Sequence, residues 1–267
     1  MKHTGLDPAK EKRFAECGSA AYVYQAVNDP TRVRVQCNRC KNRWCEACQG
    51  EKRRLIALNL RTKMPPLRTR FLTLTLRARR EPLLQTIDRL YTGFAALRRQ
   101  KRIKQSVKGG VAFLELQRGE GSGMWHVHLH CLFQGAYLDH KLLSLAWHKI
   151  TGDSYIVDVR EIARPEYAIG YVTKYASKAI SARVYNDSDL LCEAVQVLGR
   201  RHTMFTFGTW RRLKLNEKPD DDTVWQCIGS LQMYATAAAA GDAPSIAILA
   251  ALRKELPVDL PPALPDG

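Results

Sequence analysis

Acidic residues are scarce in this chain of 267, 26 against 42 lysines and arginines, which leaves a formal charge of +16 with histidine neutral. A protein so charged attracts polyanions. Long apolar runs are missing too: nothing approaches the about 18 apolar residues of a membrane-spanning helix, and no basic amphipathic helix stands at a terminus. A membrane surface is therefore disfavoured as the polyanion, and nucleic acid is expected. The first fifteen residues are charged and lack the apolar core of a secretory signal, so the expected location is cytoplasmic. In that compartment the eight cysteines read as reduced thiols or metal ligands and not as disulfides. No G-x-x-x-x-G-K-[ST] occurs, which excludes a P-loop helicase within this sequence, and there is no internal repeat.

What is present is enough to fold, since 45% of the residues are apolar. Residues 71–76 alternate, with Leu72, Leu74 and Leu76 on one face and Thr73 and Thr75 on the other, which predicts a half-buried strand. Leu83, Ile87, Leu90, Phe94 and Leu97 recur at helical spacing after Pro82 and run to a basic end at Arg102. Val111–Gln117 and Trp125–Phe133 read as a hairpin across the glycine-rich stretch 118–123. A helix over 139–150, a strand over 155–159, helices over 166–180 and 189–198 and a strand over 203–207 follow. Residues 1–35 are weakly patterned; beyond Trp210 a charged stretch leads to an alanine-rich helical segment, and the end is proline-rich. The expected division is a cysteine-rich module over 1–66, a central domain over 67–212 and a C-terminal segment over 213–267.

Three constellations carry chemistry. Cys37, Cys40, Cys45 and Cys48 have the spacing C-x2-C-x4-C-x2-C, in which each pair can bend two thiolates onto one ion and four close a structural zinc site. The middle gap is tight, so Cys17 is an alternative member; four unrelated thiols is the plainer reading. Arg39, Arg43 and Lys52 to Arg54 surround the cluster and would grip phosphates. His126, His128 and His130 alternate, so a strand turns all three imidazoles to one face while Val127, Leu129 and Cys131 enter a core. Glu115, the one acid of the preceding strand, shares a face with Phe113 and Gln117. If that is the histidine face, imidazole and carboxylate together suit Mg2+, Mn2+ or Zn2+ with room left for a phosphate oxygen. A solvated polar face is the rival reading. Tyr171, Lys174, Tyr175 and Lys178, in Y-x-x-K-Y-x-x-K, fall within roughly 100° on a helix. An adjacent ammonium favours the phenolate, which can attack a metal-polarised phosphodiester. Alone, this stripe would be an amphipathic helix with solvated lysines.

Phe71 to Leu76, His128-Leu-His130 and Tyr171 to Lys178, in that order over residues 68–210, resemble the motifs of the HUH endonuclease superfamily. That superfamily holds the rolling-circle replication initiators of plasmids and single-stranded DNA phages, with relaxases and transposases. The resemblance implies an α+β fold, an antiparallel five-stranded sheet with helices on one face in a ferredoxin-like palm, preceded by the small zinc module. It implies nicking and rejoining of single-stranded origin DNA through a 5′-phosphotyrosine. His128 and His130 would hold a catalytic Mg2+ or Mn2+, with Glu115 as first choice for the third ligand and His126 as second. Tyr175, flanked by Lys174 and Lys178, would attack first and Tyr171 second, the lysines positioning the phosphate. A DNA polymerase would extend the free 3′-hydroxyl, and a host helicase would separate the strands. Small size favours an initiator over a transposase or relaxase. A non-catalytic zinc-dependent nucleic-acid-binding protein leaves the histidines and tyrosines as coincidences, and a three-histidine zinc hydrolase neglects the tyrosines.

Overall fold

The computed structural model describes residues 8–64, 68–119, 121–162, 169–170, 173, 181–199, 201–218 and 222–255. In chain order these form α1 (Pro8–Ala15), β1 (Tyr22–Ala26), β2 (Asp29–Gln36), α2 (Glu46–Lys63), β3 (Thr69–Thr75), α3 (Leu83–Arg99), α4 (Lys101–Ser106), β4 (Val107–Arg118), β5 (Trp125–Gly135), α5 (His140–Thr151), β6 (Val157–Glu161), α6 (Ala182–Tyr185), α7 (Ser188–Leu198), β7 (Met204–Gly208), β8 (Trp225–Ser230), α8 (Leu231–Ala239) and α9 (Ala243–Glu255). The described residues divide into two compact units, one holding those from Pro8 to Arg54 together with those from Glu217 to Glu255, the other those from Leu55 to Asn216. Among the described residues no helix is long and apolar enough to cross a membrane.

The second unit is built on a five-stranded sheet in the order β6-β3-β5-β4-β7, every neighbouring pair antiparallel. Strand alternation gives it two different faces. On one face Leu72, Phe133 and Phe207 meet Phe94 and Leu97 of α3 and Leu143 of α5 around a small apolar cavity. The helical stripe Leu83, Ile87, Leu90, Phe94 and Leu97 is buried throughout, and each such side chain is worth about 1.5–3 kcal/mol in removed apolar surface. Trp147 of α5 is fully buried and donates from its indole N–H to the Thr75 carbonyl at 2.9 Å, anchoring α5 to β3. Helix α5 begins and ends where its sequence says: Asp139 accepts the Leu142 N–H at 2.9 Å, and Gly152 at φ 82° terminates it in the left-handed region. On the opposite face Phe71, Val111, Phe113 and Leu132 cluster with Ile56, Ala57 and Leu60 of α2 and with Ile169, so helical residues cover part of this face as well.

Two glycines let β4 lie tightly between β5 and β7. A Cβ on Gly110 would stand 2.4 Å from the Leu132 carbonyl oxygen, and Gly208, at φ 60°, would place one 2.2 Å from the Lys108 oxygen. Only glycine fits both positions.

The first unit is a three-stranded antiparallel sheet, β2-β1-β8, whose core of Val23, Val33 and Leu252 is closed by Ile228, Leu231 and Leu249. Ser230 caps α8 through the Met233 N–H at 3.1 Å, and Asp242 caps α9 through the Ser245 N–H at 2.9 Å. The C-terminal segment thus folds with the N-terminal module. The divide falls at 54/55 and 216/217, where sequence composition had suggested 66/67 and 212/213. Strand β8 escapes a periodicity reading because the register slips opposite Val23/Tyr24 and Gly229 interrupts its alternation, while its partner lies some two hundred residues earlier.

Candidate functional site

The pleat of β5 sends Val127, Leu129 and Cys131 into the core and turns His128 and His130 to the other face. Register then decides what flanks them. Strand β3 sets Thr75 opposite His128 and Thr73 opposite His130, and each hydroxyl lies 3.1 Å from the Nδ1 of its histidine. At His128, an Nδ1 that carries the proton and donates it to the Thr75 oxygen leaves Nε2 its lone pair for a cation; at His130 the same tautomer requires an ion in place of the hydrogen bond that Nε2 donates to Glu115. The two rings lie 6.2 Å apart at 24°, and Phe71 stacks on His130 at 5.8 Å. On the other flank β4 sets Glu115 opposite His128, so the carboxylate does belong to the histidine face. Glu115 Oε2 is 2.8 Å from His130 Nε2, and the Gln117 amide donates to Oε1 at 3.0 Å. The 2.8 Å separation is a hydrogen-bond length, and it is also close to the about 3.0 Å between adjacent ligands of an octahedral ion with bonds of about 2.1 Å.

Charge states suit a cation. Burial pushes His128 down to about 4, against the pull of Glu115 and helped by His130 and His126, so its imidazole is neutral near pH 7. Burial would raise the Glu115 carboxyl, but the hydrogen bonds from His130 and Gln117 outweigh it and hold the group below its usual value, hence ionised. His126, opposite Gln117, is set apart at the hairpin end: a Cβ on Gly119 would stand 2.7 Å from its Nε2, so the ring lies against the turn. Tyr171, Lys174, Tyr175 and Lys178 lie outside the described residues. Within the same stretch Ile169, Gly170 and Thr173 have helical backbone; Ile169 sits in the Phe71–Phe113 cluster, and the buried Thr173 donates its hydroxyl to the Ile169 carbonyl at 2.7 Å. Sequence reasoning did not assign Thr73, Thr75 and Gln117 to the site, and only their strand register reveals them.

In the first unit Cys17, Cys40, Cys45 and Cys48 bring their sulfurs within 4.8 Å of one another, the one such group of metal-binding atoms among the described residues. Separations of 3.4 Å (Cys17–Cys45), 3.6 Å (Cys17–Cys48) and 3.7 Å (Cys40–Cys48) are close to the about 3.8 Å edge of a tetrahedron with 2.3 Å zinc–sulfur bonds. Cys37, expected in the set from spacing, is not in it. The Gly18 N–H donates to the Asn38 carbonyl at 2.8 Å and the Asn38 N–H to the Ser19 carbonyl at 3.0 Å. With Gly18 turning at φ 91°, this bridge carries Cys17 in from the end of α1 to the place Cys37 was expected to fill. The Cys40 N–H draws the Cys17 thiol down to about 7, whereas burial pushes Cys48 up to about 12. Thiols as unlike as those of Cys17 and Cys48 do not ionise together unless a cation holds them. Of the surrounding cations, Arg39 is paired with Glu51 at 3.3 Å, and burial, then Arg43, lowers Lys52.

A basic α+β protein with a four-cysteine cluster able to hold a metal and an imidazole–carboxylate shelf on a five-stranded sheet is the class these observations define. The chain belongs to the family described as Replication protein (Rep_1), which it matches over residues 31–242, and its role is that of a replication initiator, consistent with the rolling-circle type of plasmids. No curated protein and no solved structure matches it.

Proposed function

We propose that this replication protein initiates rolling-circle replication by nicking single-stranded origin DNA and rejoining it through a 5′-phosphotyrosine. The observation that carries the reading is the threonine–histidine–glutamate arrangement on β3, β5 and β4, which sets two imidazoles, that of His128 neutral, and an ionised carboxylate on one face. His128, His130 and Glu115 would hold Mg2+ or Mn2+, and a bound ion would draw electron density from a non-bridging phosphate oxygen. His126 is the weaker choice, because its ring lies against Gly119.

Tyr175 is the first choice of nucleophile and Tyr171 the second. The position of Ile169 in the cluster that continues the histidine face supports a phenol from this stretch reaching that face. The phenolic oxygen forms the new bond to phosphorus, the bond from phosphorus to the 3′-oxygen breaks, and a proton passes to that oxygen. Lys174 and Lys178 would favour the phenolate and hold the phosphate. The 3′-hydroxyl then serves a polymerase, and a host helicase opens the duplex. Cys17, Cys40, Cys45 and Cys48 would hold a structural zinc, their four thiolates leaving no position for substrate.

The test is incubation with single-stranded origin DNA and Mn2+ or Mg2+, followed by denaturing electrophoresis. A covalent protein–DNA adduct that disappears in Tyr171→Phe/Tyr175→Phe is the expected result. Cleavage without an adduct would point to a hydrolase, and binding without cleavage to a zinc-dependent binding protein; either sinks the proposal.

A further inference from the structure

Strand alternation gives the sheet β2-β1-β8 a second face, opposite its valine core. Register places Arg34 opposite Tyr24 and Gln36 opposite Tyr22 on one side of β1, and Cys227 opposite Tyr24 and Trp225 opposite Ala26 on the other. Tyr22, Tyr24, Arg32, Arg34 and Trp225 therefore share this face. Tyr22 is 45% exposed, Arg32 and Cys227 are exposed, and Tyr24, Arg34 and Trp225 are half-buried. The guanidinium carbons of Arg34 and Arg32 lie 4.1 and 5.4 Å from the Trp225 ring centre, and Arg32 also donates to Thr223 Oγ1 at 3.0 Å. The three strands contain one acid, Asp29, whose carboxylate accepts from the Thr31 N–H at 3.0 Å and the Thr31 hydroxyl at 2.6 Å.

Positive charge selects a polyanion, and the rings select which kind. Aromatic and guanidinium planes standing on a sheet stack on bases whose faces are free, as in a single strand; a duplex keeps its base faces buried. The geometry points to this face as a platform for single-stranded DNA, with bases stacked on Tyr22, Tyr24 and Trp225 and phosphates met by Arg32 and Arg34. It goes beyond the nicking reading and does not depend on it, since none of its residues belongs to the histidine shelf.

The test uses the full, zinc-loaded chain without added Mg2+ or Mn2+. Irradiation with a single-stranded oligonucleotide carrying 5-iododeoxyuridine should crosslink the peptides that hold Tyr22, Tyr24 or Trp225. Crosslinks found only within residues 55–216 would overturn the platform. In solution, Tyr22→Ala should weaken single-strand binding roughly five- to 150-fold, the range for losing one stacked base. Arg32→Gln/Arg34→Gln should reduce the slope of log affinity against log salt by about 1.4, at about 0.7 per charge on a single strand. Unchanged affinity and slope, or an equal loss for duplex and single strand, would also overturn it. A chain that crosslinks here but never nicks would leave the platform standing and remove the nuclease reading; nicking without these crosslinks would do the reverse.

Discussion

Replacing Cys17 by serine should cost the first unit its metal ion, whereas replacing Cys37 should not. Cys17 is the one member of the cluster that lies outside the C-x2-C-x4-C-x2-C run, so the pair of substitutions separates the observed sulfur geometry from the sequence spacing. Structural zinc in small modules binds with about 10–16 kcal/mol, so each of four thiolates supplies roughly 2.5–4 kcal/mol, or two to three orders of magnitude in Kd. That loss is comparable to much of a domain's whole stability, about 5–15 kcal/mol, so Cys17→Ser should also loosen the β2-β1-β8 unit. The assay is metal content after dialysis, followed by titration of a chromogenic zinc chelator. Wild type and Cys37→Ser should each retain one equivalent of zinc, and Cys17→Ser should surrender it at far lower chelator. Equal zinc loss from Cys17→Ser and Cys37→Ser, or full retention by Cys17→Ser, would refute the assignment.

Three further outcomes are expected. Thr73→Val/Thr75→Val removes the groups that hold Nδ1 of His130 and His128, so nicking should fall about 10- to 100-fold at limiting Mn2+ and recover at excess; a loss that excess metal does not relieve would count against an orienting role. Gly110→Ala sets a methyl against the Leu132 backbone, which cannot swing aside, and should destabilise the second unit by about 1–3 kcal/mol in urea unfolding; an unchanged midpoint would contradict the packing of β4 on β5. Burial would raise the Asp153 carboxyl, but hydrogen bonds from Ser154 and Arg79 and the charges of Arg79 and Arg89 hold it below its ordinary 3.8. Its folded value being the lower one, the stability it contributes is complete above about pH 4 and disappears as pH falls through that folded value. Asp153→Asn should therefore melt lower than wild type at pH 7, with the two curves converging in acid; a gap that widens in acid would reverse the sign.

Local pattern was sufficient for whatever one element decides alone. The pleat has a period of two, so the run from Trp125 to Phe133 already put His128 and His130 on one face and Leu129 and Cys131 on the other. The stripe of α3 and both ends of α5 were legible for the same reason, since helix spacing and caps act within a few residues. Everything that depends on which strands become neighbours was decided by the tertiary structure. Register brought Thr73 and Thr75 to the imidazoles from one side and Glu115 from the other, and no count of residues along a single strand contains that information. The same holds for Cys17, carried to the cluster by two hydrogen bonds to Asn38, and for Trp225, laid beside Arg34 by a strand that returns from the far end of the chain. Periodicity is a property of neighbours in sequence, whereas a site is made of neighbours in space, and only packing of the whole chain converts one into the other.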